Sequence, residues 1–391
     1  MPRPIVLGNG SLLVAYDDRY RIRDLTYPHV GLENHLCGHE IRTGFWVNGK
    51  FLWADGDGWV RSLAYAAGTL NAICELTHPD LPIRIETEEA VLPDAPVFIR
   101  RMKLHNPGPI SAAVRVFCFQ YLTISESDIG DCAFFYPCLQ GIVHYKGPRW
   151  FLFGGRTSDG GVSQFTTGIR GLAGLEGVWR DAEDGALAGN AIAQGSVDSA
   201  FALHTLVGPG GSASLESYIV CGTSLDGLKA GHARLHEEGL ERCLRKSSAH
   251  WSGWSAPIAE RLQAAPEDIR AFAVQSALIL RTQIDECGGI LAANDSDIMQ
   301  TNRANYSYVW PRDGALVADV LDRLGLHDES SRFFEFCARA RSDGPPFLLQ
   351  KYRADGTFGA SWHPWVIDGR SEAPLQEDET ALTLHALASH F

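Results

Sequence analysis

Tyr306-Ser-Tyr308-Val-Trp310-Pro-Arg312-Asp313-Gly314 runs directly into Ala315-Leu-Val-Ala-Asp-Val320-Leu-Asp-Arg-Leu324-Gly325. Leu316, Val317, Val320, Leu321 and Leu324 recur at helical spacing, and Gly325 supplies a stop. An aromatic-rich loop therefore delivers an Arg-Asp pair to the start of an amphipathic helix. Planar polar groups beside aromatic faces suit a polyhydroxylated ring. Arg312 and Asp313 address vicinal hydroxyls, and Tyr306, Tyr308 and Trp310 cover the apolar ring face. A plainer reading stands beside this one: Asp313 caps its helix with Arg312 as an exposed partner, and Tyr308 and Trp310 are core aromatics.

Outward from this stretch the helical period persists. Ile269, Ala273, Ala277, Leu280 and Ile284 predict a helix after Pro266-Glu-Asp268, stopped by Gly288-Gly289. Phe333, Phe334, Phe336, Cys337 and Ala340 predict another. A small hairpin turns at Asp355-Gly356, and a last helix carries Ala381, Leu384, Leu387, Ala388 and Phe391 on one side. Before Val220 the character is different: short β-rich runs alternate with Gly, Asn, Asp and Pro. Val97–Leu104, Asn106-Pro-Gly108 and Val114–Phe119 read as a hairpin. Similar runs recur at Ile41–Trp53, Val143–Phe153 and Leu215–Val220. The expected organisation is an antiparallel β-sandwich over 1–224, a linker with a helix over 225–265, and an all-α domain over 266–391.

The 34 basic and 47 acidic residues leave a net charge of −13, which opposes binding to nucleic acid and to anionic membranes. Neutral ligands are the natural partners. The N-terminus lacks the apolar core of a secretion signal, and no run approaches membrane-span length, so a cytoplasmic protein is expected. Nine irregularly spaced cysteines predict free, mostly buried thiols and no CxxC metal site. No cofactor and no metal are expected.

Two further segments hold polar and aromatic groups. Ser361-Trp362-His363-Pro-Trp365 offers another aromatic wall, with His363 read as a structural loop residue. Gln376-Glu377-Asp378-Glu379 puts acids at a helix start, where compensation of the helix dipole explains them as well as chemistry does. Asp55-Gly-Asp57-Gly58 lacks the distal bidentate Glu of a calcium loop and reads as a turn. Gly8-Asn9-Gly10 is also a turn signal.

Several segments in order resemble glycoside hydrolase family 15, the glucoamylase family, in its prokaryotic two-domain form. They are Asp24-Leu-Thr-Tyr-Pro28, Asn34-His-Leu-Cys-Gly-His39, Arg42-Thr-Gly-Phe-Trp46, Gly49-Lys-Phe51, Gly288–Ala293, Tyr306–Asp313 and Gln376–Ala381. The resemblance implies an N-terminal antiparallel β-supersandwich followed by an (α/α)6 barrel, and inverting hydrolysis of terminal α-glucosidic bonds in an α-glucan or oligosaccharide. By the same resemblance Arg312 and Asp313 bind the hydroxyls of the terminal glucose, Tyr306 and Trp310 line that subsite, and Trp362 lines the site near the cleavage point.

The family's general acid is a Glu in a Trp-Glu-Glu type motif beyond the segment matching Gln376–Ala381, and its base lies later still. No Trp-Glu-Glu occurs, and ten residues follow Ala381. The expectation is therefore an incomplete barrel of about its first four helices, an inactive N-terminal portion of a longer enzyme, with self-association through the open barrel. A trehalase or dextran-type specificity, a non-catalytic carbohydrate-binding or assembly protein, and a phosphorylase are the competing readings.

Overall fold

A computed structural model describes residues 3–171, 174–294, 306–342, 346–359, 366–372 and 375–391. In the first half the strands are β1 (Ile5–Gly8), β2 (Leu13–Tyr16), β3 (Ile22–Thr26), β4 (Ile41–Val47), β5 (Lys50–Trp53), β6 (Val60–Tyr65), β7 (Ala72–Thr77), β8 (Arg84–Val91) and β9 (Val97–His105). They continue with β10 (Ala112–Tyr121), β11 (Asp131–Tyr136), β12 (Gly141–Lys146), β13 (Arg149–Thr157), β14 (Gln164–Ile169), β15 (Ile192–Gly195), β16 (Val197–Val207) and β17 (Ser212–Gly222). Two antiparallel sheets result. One has the order β1-β2-β3-β4-β10-β16-β14 with β5 on β4, and the other the order β15-β11-β12-β13-β17-β9-β8-β7-β6.

Six α-helices are described after the strands: α1 (Leu225–Glu238), α2 (Leu240–Arg261), α3 (Glu267–Arg281), α4 (Pro311–Arg323), α5 (His327–Ser342) and α6 (Glu377–His390). No helix among the described residues is long and apolar enough to cross a membrane. The chain divides into two compact units, and the division does not follow chain order. The β unit holds Met1–Leu7, Val14–Leu25 and Asn34–His250; the helical unit holds Gly8–Leu13, Thr26–Glu33 and Trp251–Phe391.

The segment expected to be a hairpin at Asn106-Pro-Gly108 is a crossing between sheets. β9 pairs with β8 and β17, whereas β10 pairs with β4 and β16. β16 and β17 make the parallel crossing at the same corner. Buried Asn106 ties the two together: its amide donates to the carbonyls of Ile110, Val207 and Gly208 at 2.7–3.1 Å and its Oδ1 accepts from the Gly108 N–H at 3.0 Å. A two-faced apolar run such as Val114–Phe119 does not say which neighbour it will pair with, and this is why the turn signal misled. Phe117 and Phe119 pack with Trp53, Trp46, Phe51 and Trp179 on one face of β10, and Val114, Val116 and Cys118 alternate onto the other. The second sheet is covered by α1 and the start of α2 through Leu228, Leu235, Leu240 and Leu244. The linker helix of the sequence reading is thus two helices, and its first part belongs to the sandwich.

Between the sheets lies a buried charged network. The Arg100 guanidinium donates to Glu89 Oε1 at 3.0 Å, to the Tyr16 hydroxyl at 2.6 Å and to Thr43 Oγ1 at 3.1 Å. The hydroxyls of Tyr16 and Tyr20 also donate to Glu89, and Thr87 donates to it at 2.9 Å. Tyr16 and Thr43 come from one sheet, and Glu89, Thr87 and Arg100 from the other.

In the helical unit the buried faces differ from those the period suggested. On α4 the buried residues are Pro311, Gly314, Ala315, Ala318 and Leu321, while Leu316 and Val320 are exposed. Close approach selects the small residues, because a Cβ at Gly314 would collide with the Phe333 ring of α5. On α6 the buried residues are Glu379, Thr383 and Ala386, and Leu384 and Phe391 face solvent. On α3, Val274, Ala277, Leu278 and Arg281 are buried and Ile269 is exposed. That helix ends at Arg281, ahead of Gly288-Gly289. Arg281 pairs with buried Glu329 of α5 at 3.0 Å.

Replacing Glu89 by Gln leaves Arg100 buried without its counter-charge, which should destabilise the β unit by about 3–5 kcal/mol. Combining Glu89→Leu with Arg100→Met should recover most of that loss. Urea unfolding followed by tryptophan fluorescence checks both; a single-variant loss below about 1 kcal/mol would remove the network from the determinants of the sandwich.

Candidate functional site

The junction ahead of α4 is built by short backbone pairings. The Ala292 and Ala293 N–H groups donate to the carbonyls of Tyr308 and Tyr306 at 3.0 and 3.2 Å, which lays 290–293 alongside the aromatic loop. Val309 and Tyr352 then exchange both hydrogen bonds at 2.8 and 2.9 Å. The expected turn at Asp355-Gly356 follows, closed by a bridge from Tyr352 to Phe358. Pro311 opens the helix at the position where a missing N–H costs nothing.

Asp313 does not cap α4. The N-cap is Trp310, whose side chain makes no capping bond. Capping comes from another helix: Glu379 Oε2, at the start of α6, accepts the Arg312 N–H at 2.6 Å. Thr383 completes the α4–α6 contact by donating to the Pro311 carbonyl at 3.4 Å. The Arg312 guanidinium reaches Asp313 at 3.0 Å, Asp378 at 3.1 Å and Glu379 Oε1 at 3.9 Å. One arginine is thereby held among three carboxylates from two helix starts.

Electrostatics separate these acids. Burial pushes the Glu379 carboxyl up to about 7, against the downward pull of the Arg312 N–H and guanidinium. Its side chain has no exposed surface, whereas those of Asp313 and Asp378 are about half exposed. Burial pulls the Arg312 pKa down, but its carboxylate partners outweigh that and hold it above the usual arginine value.

The aromatic residues gather at the same junction. Tyr306 and Trp310 ring centroids stand 5.7 Å apart, and Tyr308 meets Trp310 edge-on at 6.3 Å. Trp310 is buried and Tyr306 exposed. Tyr306 thus meets Trp310, and Arg312 meets Asp313, while the burial of Trp310 fits the plainer reading of it as a core aromatic. Trp362, with His363 and Trp365, lies outside the described residues.

Sequence reasoning missed Lys351. Its ammonium lies 4.6 Å from the Tyr308 ring centroid and 5.0 Å from that of Trp310, in cation–π geometry, and burial lowers its pKa. A lone lysine in Leu348-Leu-Gln-Lys-Tyr352 was the available signal. The cross-helix role of Glu379 was also missed, because three consecutive acids give no indication of which one turns inward.

No protein-family model matches the chain. It is 26% identical over 398 aligned residues to an uncharacterized glycosyl hydrolase of Methanocaldococcus jannaschii, with 99% of this chain and 59% of that protein covered. The chain therefore spans about three-fifths of the curated relative's length. Among solved structures it is similar to a bacterial glucoamylase complexed with acarbose, at a TM-score of 0.73 and 12% identity over 91% of this chain and 52% of that one. It is also similar to a putative kojibiose phosphorylase from the human microbiome, at 0.59 and 8% identity over 99% and 53%. These structural likenesses show a shared fold.

The raised Glu379 value has a defined thermodynamic sign. The unfolded carboxyl releases its proton near the ordinary value of 4.5, and the folded one holds it to about 7. Between those values the folded state binds more protons, so this group makes stability fall as pH rises through the window, and the effect levels off above it. Glu379→Gln should remove that component while keeping an acceptor for the Arg312 N–H. Urea unfolding of both proteins from pH 4.5 to 8 gives the test: identical slopes would mean that Glu379 does not titrate in this range.

Proposed function

We infer that the Tyr306–Asp313 junction binds the terminal glucose unit of an α-glucan or oligosaccharide, as part of a glucoamylase-like glycoside hydrolase. In this reading the β unit is a supersandwich and α3–α6 are helices of an (α/α) toroid. The observation that carries it is the fixed Arg312–Asp313 pair, in the same loop as the exposed Tyr306 ring, which meets the buried Trp310 ring at 5.7 Å. Guanidinium donors and a carboxylate acceptor, both part-exposed, meet the two halves of a vicinal diol, and an aromatic face meets the ring. The likeness in fold to a glucoamylase and the sequence similarity to a glycosyl hydrolase support the substrate class.

The reaction in this reading is inverting hydrolysis, which needs an acid and a base about 6.5–9.5 Å apart around a water. None of the three carboxylates at the junction takes either role. Glu379 is enclosed and caps α4, and Asp313 and Asp378 neutralise Arg312. They hold the sugar-binding groups in position.

Titration calorimetry of the purified chain with maltotriose, isomaltose and trehalose tests the reading and separates linkage classes. Saturable binding is expected. Hydrogen bonds to a charged group contribute about 1.5–3 kcal/mol, so Arg312→Ala should weaken binding by about 10–100-fold. Absence of saturable binding to all three sugars, or equal affinity in Arg312→Ala, would overturn it.

A further inference from the structure

A second cluster in the helical unit uses none of the side chains assigned to sugar binding, and the inference from it does not rest on that assignment. Thr26–Glu33 belongs to this unit, and His29 at its centre meets the turn Asp285-Glu-Cys287-Gly288-Gly289. His29 Nδ1 lies 3.2 Å from both carboxylate oxygens of Asp285. The same carboxylate accepts the Val30 N–H at 3.1 Å and the Cys287 N–H at 2.8 Å. One ligand atom each from His29, Asp285 and Cys287 lies within 4.8 Å of the other two.

Three features distinguish this group from a plain hydrogen-bonded turn. The first is geometry: His29 Nδ1 stands 3.2 Å from both oxygens, at the long end of the hydrogen-bond range and at the spacing of two ligands each about 2.0 Å from a tetrahedral ion. The second is ligand chemistry: imidazole, carboxylate and thiol is a set that suits zinc, with bonds of about 2.0–2.3 Å. The third is preparation. Gly288 sits at φ +90°, where a Cβ would run into the Arg332 carbonyl, and Arg339 donates to the Cys287 carbonyl. The turn that presents Asp285 and Cys287 is therefore fixed from α5. Asp355 acts electrostatically on both His29 and Cys287, and Arg339 acts on Cys287 in the opposite sense. Asp285 is buried, while His29 and Cys287 are part-exposed and leave a route of entry.

We propose that His29 Nδ1, the Asp285 carboxylate and Cys287 Sγ bind one zinc-type divalent cation, with water in the fourth position. Binding releases the Cys287 S–H proton to solvent and forms the sulfur–metal bond. The ion joins Thr26–Glu33 to the turn that leads into 290–293, the segment paired with the aromatic loop. The sequence could not announce this site, because His29 and Asp285 are 256 positions apart and no CxxC marks it.

Cobalt(II) titration of the full chain, stripped with chelator, tests the proposal. One equivalent should produce a thiolate-to-cobalt charge-transfer band together with the visible bands of a four-coordinate site, and zinc should displace it. Cys287→Ser should abolish the charge-transfer band. His29→Gln should weaken binding by at least the about 10–100-fold that follows loss of an outer-shell partner, and circular dichroism verifies that both variants are folded. The other histidine-containing cluster among the described residues, Asp322, His327 and His390, has no sulfur, so cobalt held there gives no thiolate band. Binding without such a band, a band that survives Cys287→Ser, or no binding at all would each overturn the proposal.

Discussion

The helical unit turns on one buried carboxylate. Glu379 stands at the start of α6 and accepts a backbone N–H at the start of α4, so two helix N-termini meet at one acid. Each terminus carries unsatisfied donors and a partial positive charge, and a carboxylate answers both. Its position fixes which face of α6 turns inward and where the Arg312 backbone begins its first turn. The neighbours that feel its charge include Cys337 of α5 and Tyr352 as well as Arg312, Asp313 and Asp378. A single acid thus couples the helix packing to the groups offered to a ligand.

The β unit solves a different problem by related means. Strands such as β10 carry apolar residues on both faces, which gives them little basis for choosing a register. Arg100 and Glu89, with two tyrosine hydroxyls and two threonines, supply directional bonds that only one alignment satisfies. Such a group adds little net stability over well-packed apolar residues, and its contribution here is to penalise every other alignment.

The order of sandwich then helices was legible because the spacing of apolar residues changes from two to about 3.6 after Val220. The aromatic loop and Arg-Asp pair were legible because their residue types are unusual together. The interior faces of α4 and α6 were not. Apolar side chains such as Leu316 and Leu384 are exposed, while Gly314, Ala318, Glu379 and Thr383 are buried, since tight helix contacts favour small groups and Glu379 and Thr383 bond to the backbone at the start of α4. Pairing was equally hidden at Asn106, where a turn signal marks a crossing between sheets. The assignment of Gly8–Leu13 and Thr26–Glu33 to the helical unit could not be read locally either, because it depends on partners far away in the chain.

The arrangement around Arg312 bears on how tightly a neutral ring can be held. An exposed arginine loses substantial rotamer freedom when it fixes a ligand, and that loss offsets much of each hydrogen bond it makes. Here the guanidinium is already oriented by Asp313 and Asp378, and its backbone by Glu379. The ordering is completed during folding, so hydroxyls that meet the remaining donors gain nearly the full value of the contact. The same carboxylates offset the local positive charge, which disfavours anionic ligands and leaves shape and hydrogen-bond geometry to discriminate among neutral ones.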